Sequence, residues 1–461
     1  EIKIDHSVSV GGYYCQVKGR DVLNEEELTQ LKTRMKEIVA LDLPLEKKVI
    51  PLEEASAYFE EKDLEEKALL LKHLKVDYLD FYHLGDHRDY QQGCLVPSTG
   101  YLKWFDLEPI KGGFTLRFPR RHQPNEIAPA GTNPKLLDSF RLYGNYLEST
   151  GYQNVGKLND AISTGRIEKV ITFSEALHEQ WIADIASQIA AKKDEIRLVL
   201  IAGPSSSGKT TTSRRLSIQL SAHGIRPYAM EVDNYFVDLD KTPRDENGDY
   251  DFEHINSLDT AQFNLDLNKL IRAEKVQLPK YDFLSKRSGP GEVVKLKEGQ
   301  IIIVEGIHGL NPELVKDIPG NQVFKIYISA LTQLNLDRHN RISTTDTRLI
   351  RRIMRDARTR GYSAQDTISR WESVRRGEKR YIFPHQENAD MMFNSALVYE
   401  LSVLKPLVEP LLQEVPFGTP EHIEANRLLA LLAWFLPAGT EHIPNNSLLR
   451  EFIGNSILQD F

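Results

Sequence analysis

Apolar positions change their spacing along the chain, and the changes divide it. From Ile196 to Ala202 the run IRLVLIA is apolar apart from Arg197, the pattern of a strand buried on both faces. A glycine-bounded loop, GPSSSGKT, comes next, and TTSRRLS opens a helix. RPYAMEV (226–232) and QIIIVEG (300–306) are further strand-like runs, ending at the acids Asp233 and Glu305. Strands alternating with helical stretches predict an α/β core, a mostly parallel sheet covered by helices. Upstream the spacing differs. IKIDHSVSVGGYYCQV (2–17) alternates and breaks at Gly11-Gly12, NEEELTQLKTRMKEIVAL (24–41) is helical, and KKVIPL (47–52) is a short strand. LEEASAYFEEKDLEEKALLLKHL (52–74) reads as one helix, and turn-rich strands fill 82–121, so 1–125 is expected to be an α+β unit.

The loop HQPNEIAPAGTNP (122–134) marks a boundary. A helical connector is expected over 126–195, its clearest helix SEALHEQWIADIASQIAAKK (174–193). The core then runs over 196–405, with ENADMMFNSALVYELSVLKP (387–406) as its last strand and helix. A helical extension occupies 406–461, and its most apolar stretch, EANRLLALLAWFL, must bury against the core, the connector or a second subunit. A homo-oligomer is therefore one open outcome.

The loop after the Ile196 strand has the spacing Gly203-x-x-x-x-Gly208-Lys209-Thr210 of a phosphate-cradling P-loop. Gly203 and Gly208 let the backbone wrap a phosphate chain, so that N–H groups from Ser205, Ser206, Ser207 and Gly208 onward point inward. Lys209 supplies a mobile charge for the terminal phosphates, and the Thr210 hydroxyl a ligand for Mg²⁺. Thr211 extends the cradle onto the helix N-terminus, where free N–H groups favour an anion. Ligands in such sheets sit beyond the carboxyl ends of strands, which is where Asp233 and Glu305 fall. Glu305 reads as a second Mg²⁺ ligand. The expected cofactors are ATP and Mg²⁺.

Composition removes several alternatives. A net charge of −8 gives no global field toward nucleic acid or anionic lipid. Two cysteines, Cys15 and Cys94, are too few for a disulfide framework and fit a reducing, cytoplasmic setting. No apolar run approaches a membrane span. The chain opens on Glu1 rather than Met, which suggests residues upstream.

The motifs GPSSSGKTT, VDNYF, GDYDFEHINSLD, LPKYDFLSKR, VEGIHGL and RLIRRIMRDARTRG stand in the order found in uridine kinases. Over roughly 196–405 the chain resembles that family, close to phosphoribulokinase among P-loop kinases. The resemblance implies ATP-dependent phosphorylation of the 5′-hydroxyl of a uridine- or cytidine-like nucleoside. It implies that Asp233 accepts the acceptor's proton, that Tyr281 and Phe283 pack on the nucleobase, and that Glu253 holds the ribose. Three positions depart from the family pattern. Asp-Ser-Phe-Tyr is here Asp233-Asn234-Tyr235-Phe236, Lys286 replaces a His at the pyrimidine edge, and Tyr362 replaces the last lid Arg. Tyr235, Phe236 and Lys286 remain acceptor-site candidates. Phosphoryl transfer to a small hydroxyl survives these changes, whereas pyrimidine specificity does not follow.

From Arg348 to Arg380 eleven Lys/Arg face four Asp/Glu, a cationic stretch in an acidic chain. On a helical wheel Arg348, Arg351, Arg352 and Arg355 share one side and Leu349, Ile353 and Ala357 the other. The helix is expected to pack its apolar face and offer guanidinium groups to phosphoryl oxygens, with Gly361 as a hinge. A solvated cationic face or an RNA contact is the competing reading.

Within the first unit, GDHRDYQQGCLVPSTG (85–100) resembles a stretch of the threonyl-tRNA synthetase editing domain. Gln91 and Leu95 stand where that family carries its editing Cys and His, so deacylation is not expected and the unit is read as a sensor, a binding surface or a brace. His83, His87 and Cys94 are not expected to converge on a metal, because the Gly-Asp turn between the histidines opposes a helix. The leading reading is a nucleoside kinase. The alternatives are a kinase for another small acceptor, such as a sugar phosphate, and an RNA- or tRNA-associated NTPase. The acidic balance weighs against the last, although Arg117, Arg120 and Arg121 could form a local patch.

Overall fold

A computed structural model describes residues 2–458 apart from 9–10, 18, 21–22, 92, 111, 121–122, 130–132, 247 and 283–284. The first 117 residues supply β1 (Ile2–Ser7), β2 (Gly12–Val17), α1 (Glu25–Ala40), β3 (Glu46–Pro51), α2 (Leu52–Glu61), α3 (Glu65–Leu71), β4 (Tyr78–Leu84), β5 (His87–Tyr90), β6 (Asp106–Ile110) and β7 (Gly113–Arg117). They form an antiparallel sheet of order β1-β2-β7-β6 and a second of order β3-β4-β5. Asn24 starts α1 with a capping box closed by Glu27. The single helix expected over 52–74 is two, because Asp63 takes a left-handed φ of 55° that a continuing helix cannot accommodate. His83 and His87 lie on neighbouring strands of the β4–β5 hairpin, with His83 opposite Arg88.

Three helices connect this region to the core: α4 (Pro134–Thr150), α5 (Val155–Ser163) and α6 (Ile167–Ala190). The core contributes β8 (Leu198–Ala202), α7 (Lys209–Ala222), β9 (Tyr228–Glu231), α8 (Thr260–Ile271), β10 (Lys275–Asp282), β11 (Arg287–Lys295), β12 (Ile302–Glu305), β13 (Val323–Ser329), α9 (Thr344–Thr359), α10 (Ala364–Gly377) and β14 (Met391–Asn394). Its sheet has the order β14-β13-β8-β12-β9, and every pairing is parallel, as the alternation predicts. Every residue of the central β8 is buried, so its Leu, Val and Ile side chains each contribute about 1.5–3 kcal/mol of burial. The antiparallel β10–β11 hairpin stands outside this sheet. The chain ends in α11 (Glu400–Gln413), α12 (Pro420–Leu432) and the short α13 (Arg450–Ile453).

One apolar core runs through these parts, from Ile50 and Phe59 through the connector to Phe452. The apolar stretch 424–436 buries into it: Leu428, Leu431, Leu432, Trp434 and Phe435 are all covered within the chain. A buried polar cluster fastens the first region to the segment that leads into α9. Lys67, wholly buried, places Nζ 2.8 Å from Asp89 and 3.3 Å from Asp337, over the Tyr90 ring. The Tyr90 hydroxyl donates to Asp337, and Arg338 pairs with Glu66. Burial pushes the Asp337 carboxyl up, but Lys67 and these hydrogen bonds outweigh it and hold the group below its usual range. Among the described residues, no helix is long and apolar enough to cross a membrane.

Candidate active site

The loop between β8 and α7 lies tightly against the neighbouring strand. A Cβ on Gly203 would collide with the Ile328 carbonyl, and one on Gly208, at φ 84°, would come within 2.6 Å of Leu448. Ser206 takes a left-handed φ of 58°, a conformation costly for a non-glycine residue and concentrated at functional loops. The buried hydroxyls of Ser206 and Ser207 have no partner among the described residues. Gly208 caps α7 without a side-chain bond, so the helix begins with its N–H groups turned to the loop. Strain, unspent hydroxyls and a helix start whose cap residue supplies no side-chain bond together make a cradle for an anion.

Around this loop stand the predicted carboxylates. The Thr210 hydroxyl donates to Glu305 Oε1 at 2.6 Å, which sets two hard oxygen ligands side by side. Crowding by protein raises the Glu305 carboxyl to about 7, although Lys209 and Thr210 pull it down. Burial also lowers the Lys209 ammonium, against the carboxylates of Glu305, Asp233 and Glu451, and its Nζ folds back on the Pro204 carbonyl at 3.2 Å. Asp233 follows β9 in a turn of 3₁₀ helix, Val232–Tyr235. Burial raises its carboxyl and Lys209, Arg360 and Arg355 oppose that rise, so all four groups share one electrostatic neighbourhood. Asp233, Glu305 and Lys209 keep partial access to solvent, as groups at the floor of an open cleft do. A Mg²⁺ ion fits the paired oxygens of Thr210 and Glu305, since this ion commonly takes one or two carboxylates and completes its shell with phosphate and water.

The arginine face of α9 divides in a way the helical wheel does not anticipate. Arg348 and Arg351 are buried and already spoken for. Arg348 grips Glu378 bidentately at 2.5 and 2.7 Å and donates to the Ser205 carbonyl at 3.2 Å. Arg351 pairs with Glu400 at 2.5 Å and donates to the carbonyls of Ser395 and Ser206. The expectation that these two offer free guanidinium groups is corrected: they hold the loop's backbone from behind. Arg352 reaches the Ser205 hydroxyl at 2.9 Å, and Arg352, Arg355 and Arg360 gather around Asp356 at 3.2, 3.1 and 3.5 Å. Arg360 bears on Asp233 as Arg355 does, and the wheel, which groups only 348–355, passes it over.

The acceptor-side candidates also divide. The 3₁₀ turn sends Tyr235 into the core, where its ring meets Phe263 edge-on at 5.0 Å and its hydroxyl donates to Asp266, although it also lines the cavity beside Thr210 and Glu305. Phe236, next in the chain, lies 5.5 Å from the Tyr281 ring. Glu253 packs against Gly377, whose missing side chain makes the room, and burial lifts its carboxyl to about 7 with Arg352 opposing. Lys286 occupies an exposed left-handed turn between β10 and β11. Phe283 lies outside the described residues. A cavity of about 670 Å³ opens beside Thr210 and Glu305, walled by Tyr228 and Asn234 near β9 and by Lys280 and Glu292 of the hairpin. Phe236, Glu253 and Tyr281 are not among its walls.

Residues 198–402 match the model of the Phosphoribulokinase / Uridine kinase family. A uridine kinase of Borrelia duttonii is 30% identical over an alignment of 228 residues that covers 46% of this chain and 97% of that protein. The chain belongs to the Phosphoribulokinase / Uridine kinase family. A uridine kinase of Ligilactobacillus salivarius is 29% identical over 205 residues, 44% of this chain and 87% of its own length. Among solved structures, a "possible uridine kinase" from Bacillus stearothermophilus is 27% identical, with a TM-score of 0.27 over 32% of this chain and 78% of that one. As a P-loop kinase of this family the protein is a nucleotide-binding phosphotransferase, and the matched span begins at β8 and ends within α11. The first region, the connector and the last two helices lie outside it.

Proposed function

We propose that the protein is an ATP-dependent nucleoside kinase that phosphorylates the 5′-hydroxyl of a uridine- or cytidine-like nucleoside. The observation that carries this reading is the placement of the P-loop after β8, Glu305 at the end of β12 and Asp233 just past β9, at the carboxyl ends of neighbouring parallel strands of one sheet. In the transfer, the acceptor oxygen bonds to the γ-phosphorus, the bond from that phosphorus to the bridging oxygen of ADP breaks, and Asp233 takes the hydroxyl proton. A carboxyl held above its ordinary value is the better base for that proton. Arg352 and Arg355, with Lys209, face the phosphoryl oxygens, and Ser205 to Thr211 hold the phosphate chain. Bound at Thr210 and Glu305, Mg²⁺ supplies charge neutralisation to the phosphates. Phe236 and Tyr281 offer the base an aromatic wall and Glu253 offers the ribose an acceptor.

Residues 1–125 serve in this reading as a brace, fastened through Lys67 and Asp337 to the segment before α9, with 126–195 as connector, 196–405 as the kinase unit and 406–461 as its helical backing. A second reading keeps the kinase and changes the acceptor to another nucleoside or a sugar phosphate. The exposed Lys286 favours it.

A panel of nucleosides and sugar phosphates, assayed for ATP-dependent formation of phosphorylated product, separates the two. Consumption of ATP that depends on tRNA instead of a small acceptor would sink both. Asp233→Asn is expected to lower kcat by ~10²-fold or more with ATP affinity little changed. An unaltered kcat removes Asp233 from the chemistry.

A further inference from the structure

The start of α7 already holds an anion, and it comes from the far end of the chain. Glu451 Oε2 accepts from the Thr211 hydroxyl at 2.7 Å and from the Thr211 backbone N–H at 3.4 Å. Thr211 is the third residue of α7, so its N–H is one of the helix-start donors that the loop presents to phosphate. Three further contacts hold the segment that carries the carboxylate. Leu448, fully buried, lies over Gly208. Arg358 of α9 donates to the carbonyls of Glu451 and Phe452 at 2.7 and 3.3 Å. Arg351 stands 5.1 Å from the Phe452 ring. The short helix α13 is thus wedged between the P-loop helix and the arginine helix, with its acid directed at a phosphate donor.

We propose that Glu451 is an internal occupant of the nucleotide-phosphate seat: a bound nucleoside di- or triphosphate displaces its carboxylate from Thr211 and so loosens α13 from α9. This rests on the P-loop reading above. A phosphate that takes the Thr211 N–H and hydroxyl must displace the carboxylate from both, and two negative groups side by side repel across a partly desolvated site. The free enzyme therefore satisfies its own anion site, and nucleotide affinity is lowered by the fraction of molecules in which the seat is taken. The nucleotide and the carboxy-terminal segment are rivals, and anything that draws α13 away acts as an activator.

The test is calorimetric binding of Mg·ADP and Mg·ATP to the full chain and to Glu451→Gln, which keeps the shape and removes the charge. If the occupied form makes up roughly nine-tenths of the free enzyme, Glu451→Gln binds both nucleotides about tenfold more tightly. Arg358→Ala, which releases the carbonyls without touching the loop, tightens binding about threefold by the same logic and serves if the first variant does not fold. In the unaltered chain, hydrogen exchange over 447–454 is expected to accelerate when Mg·ADP is added. Equal or weaker nucleotide binding by the variants, or slower exchange over 447–454 on adding Mg·ADP, overturns the proposal and makes Glu451 a helix cap or a nucleotide ligand. Absence of nucleotide binding in every form would overturn the P-loop reading itself, and the proposal with it.

Discussion

Arg348 and Arg351 share a helix face with Arg352 and Arg355, yet the two pairs do different work. The first pair is sealed from solvent and matched with Glu378 and Glu400, each of which is also buried. The second pair crowds one carboxylate, Asp356, which Arg360 also approaches, so three cations surround one anion and positive charge remains for a ligand. The acids repeat the contrast. Glu378 and Glu400 have arginines of their own, whereas Glu253 and Glu305 are partly buried with weaker compensation and hold their protons up to about 7. Charge that is fully matched fixes the loop, and charge left over lies where the proposed reading puts phosphate and metal.

Breaking the matched side has the largest expected effect. Arg351→Ala strands Glu400 without its cation and should remove about 3–5 kcal/mol of stability, read from urea unfolding. A loss below ~1 kcal/mol would show that the pair is not structural. On the other side, Arg352→Ala should leave stability within ~1 kcal/mol, since Asp356 keeps two arginines, and lower kcat by ~10–100-fold in steady-state kinetics. If Arg352→Ala unfolds the protein while its kcat per folded molecule stays constant, the division of the helix face is wrong.

The smallest effect concerns Glu305. Its folded carboxyl titrates near 7 against an ordinary 4.5, so as pH rises from about 4.5 to 7 the unfolded chain ionises first and the ligand-free fold loses stability. Above that window the penalty is constant, and below it the penalty vanishes. Glu305→Gln should weaken this dependence, leaving the share that Glu253 contributes over the same window, and raise the melting temperature at pH 8 by ~2–4 °C, even as it impairs turnover. A melting curve at pH 8 that falls instead would mean that the carboxylate is compensated in the fold.

Much of the kinase unit is legible in the sequence because its signals are local. The apolar run of β8, the glycine spacing of the loop and the acids at strand ends are each contained in a few residues, and the observed parallel sheet follows their alternation. Tyr235 and Phe236 show the limit of such reading. They are adjacent aromatics, and only the 3₁₀ turn decides that one enters the core and the other faces Tyr281. The helical wheel of α9 fails for a related cause: it records direction from the axis, not the depth at which Glu378 and Glu400 arrive from 30 and 49 residues away. Glu451 is further still, 240 residues from Thr211, and nothing near it in the chain announces a role. The split of 52–74 at Asp63 needed a backbone angle that an acidic, helix-forming stretch does not advertise.

The unbroken apolar seam from Ile50 to Phe452 bears on how the molecule comes apart. Cutting at the limits of the family match would strip Leu428, Leu432 and Phe435 from the side chains they cover and leave an oily scar on the excised piece. Heating the whole chain should therefore give a single endotherm shared by the first region, the connector and the kinase core, and the piece spanning 198–402 should clump where the intact protein stays dispersed.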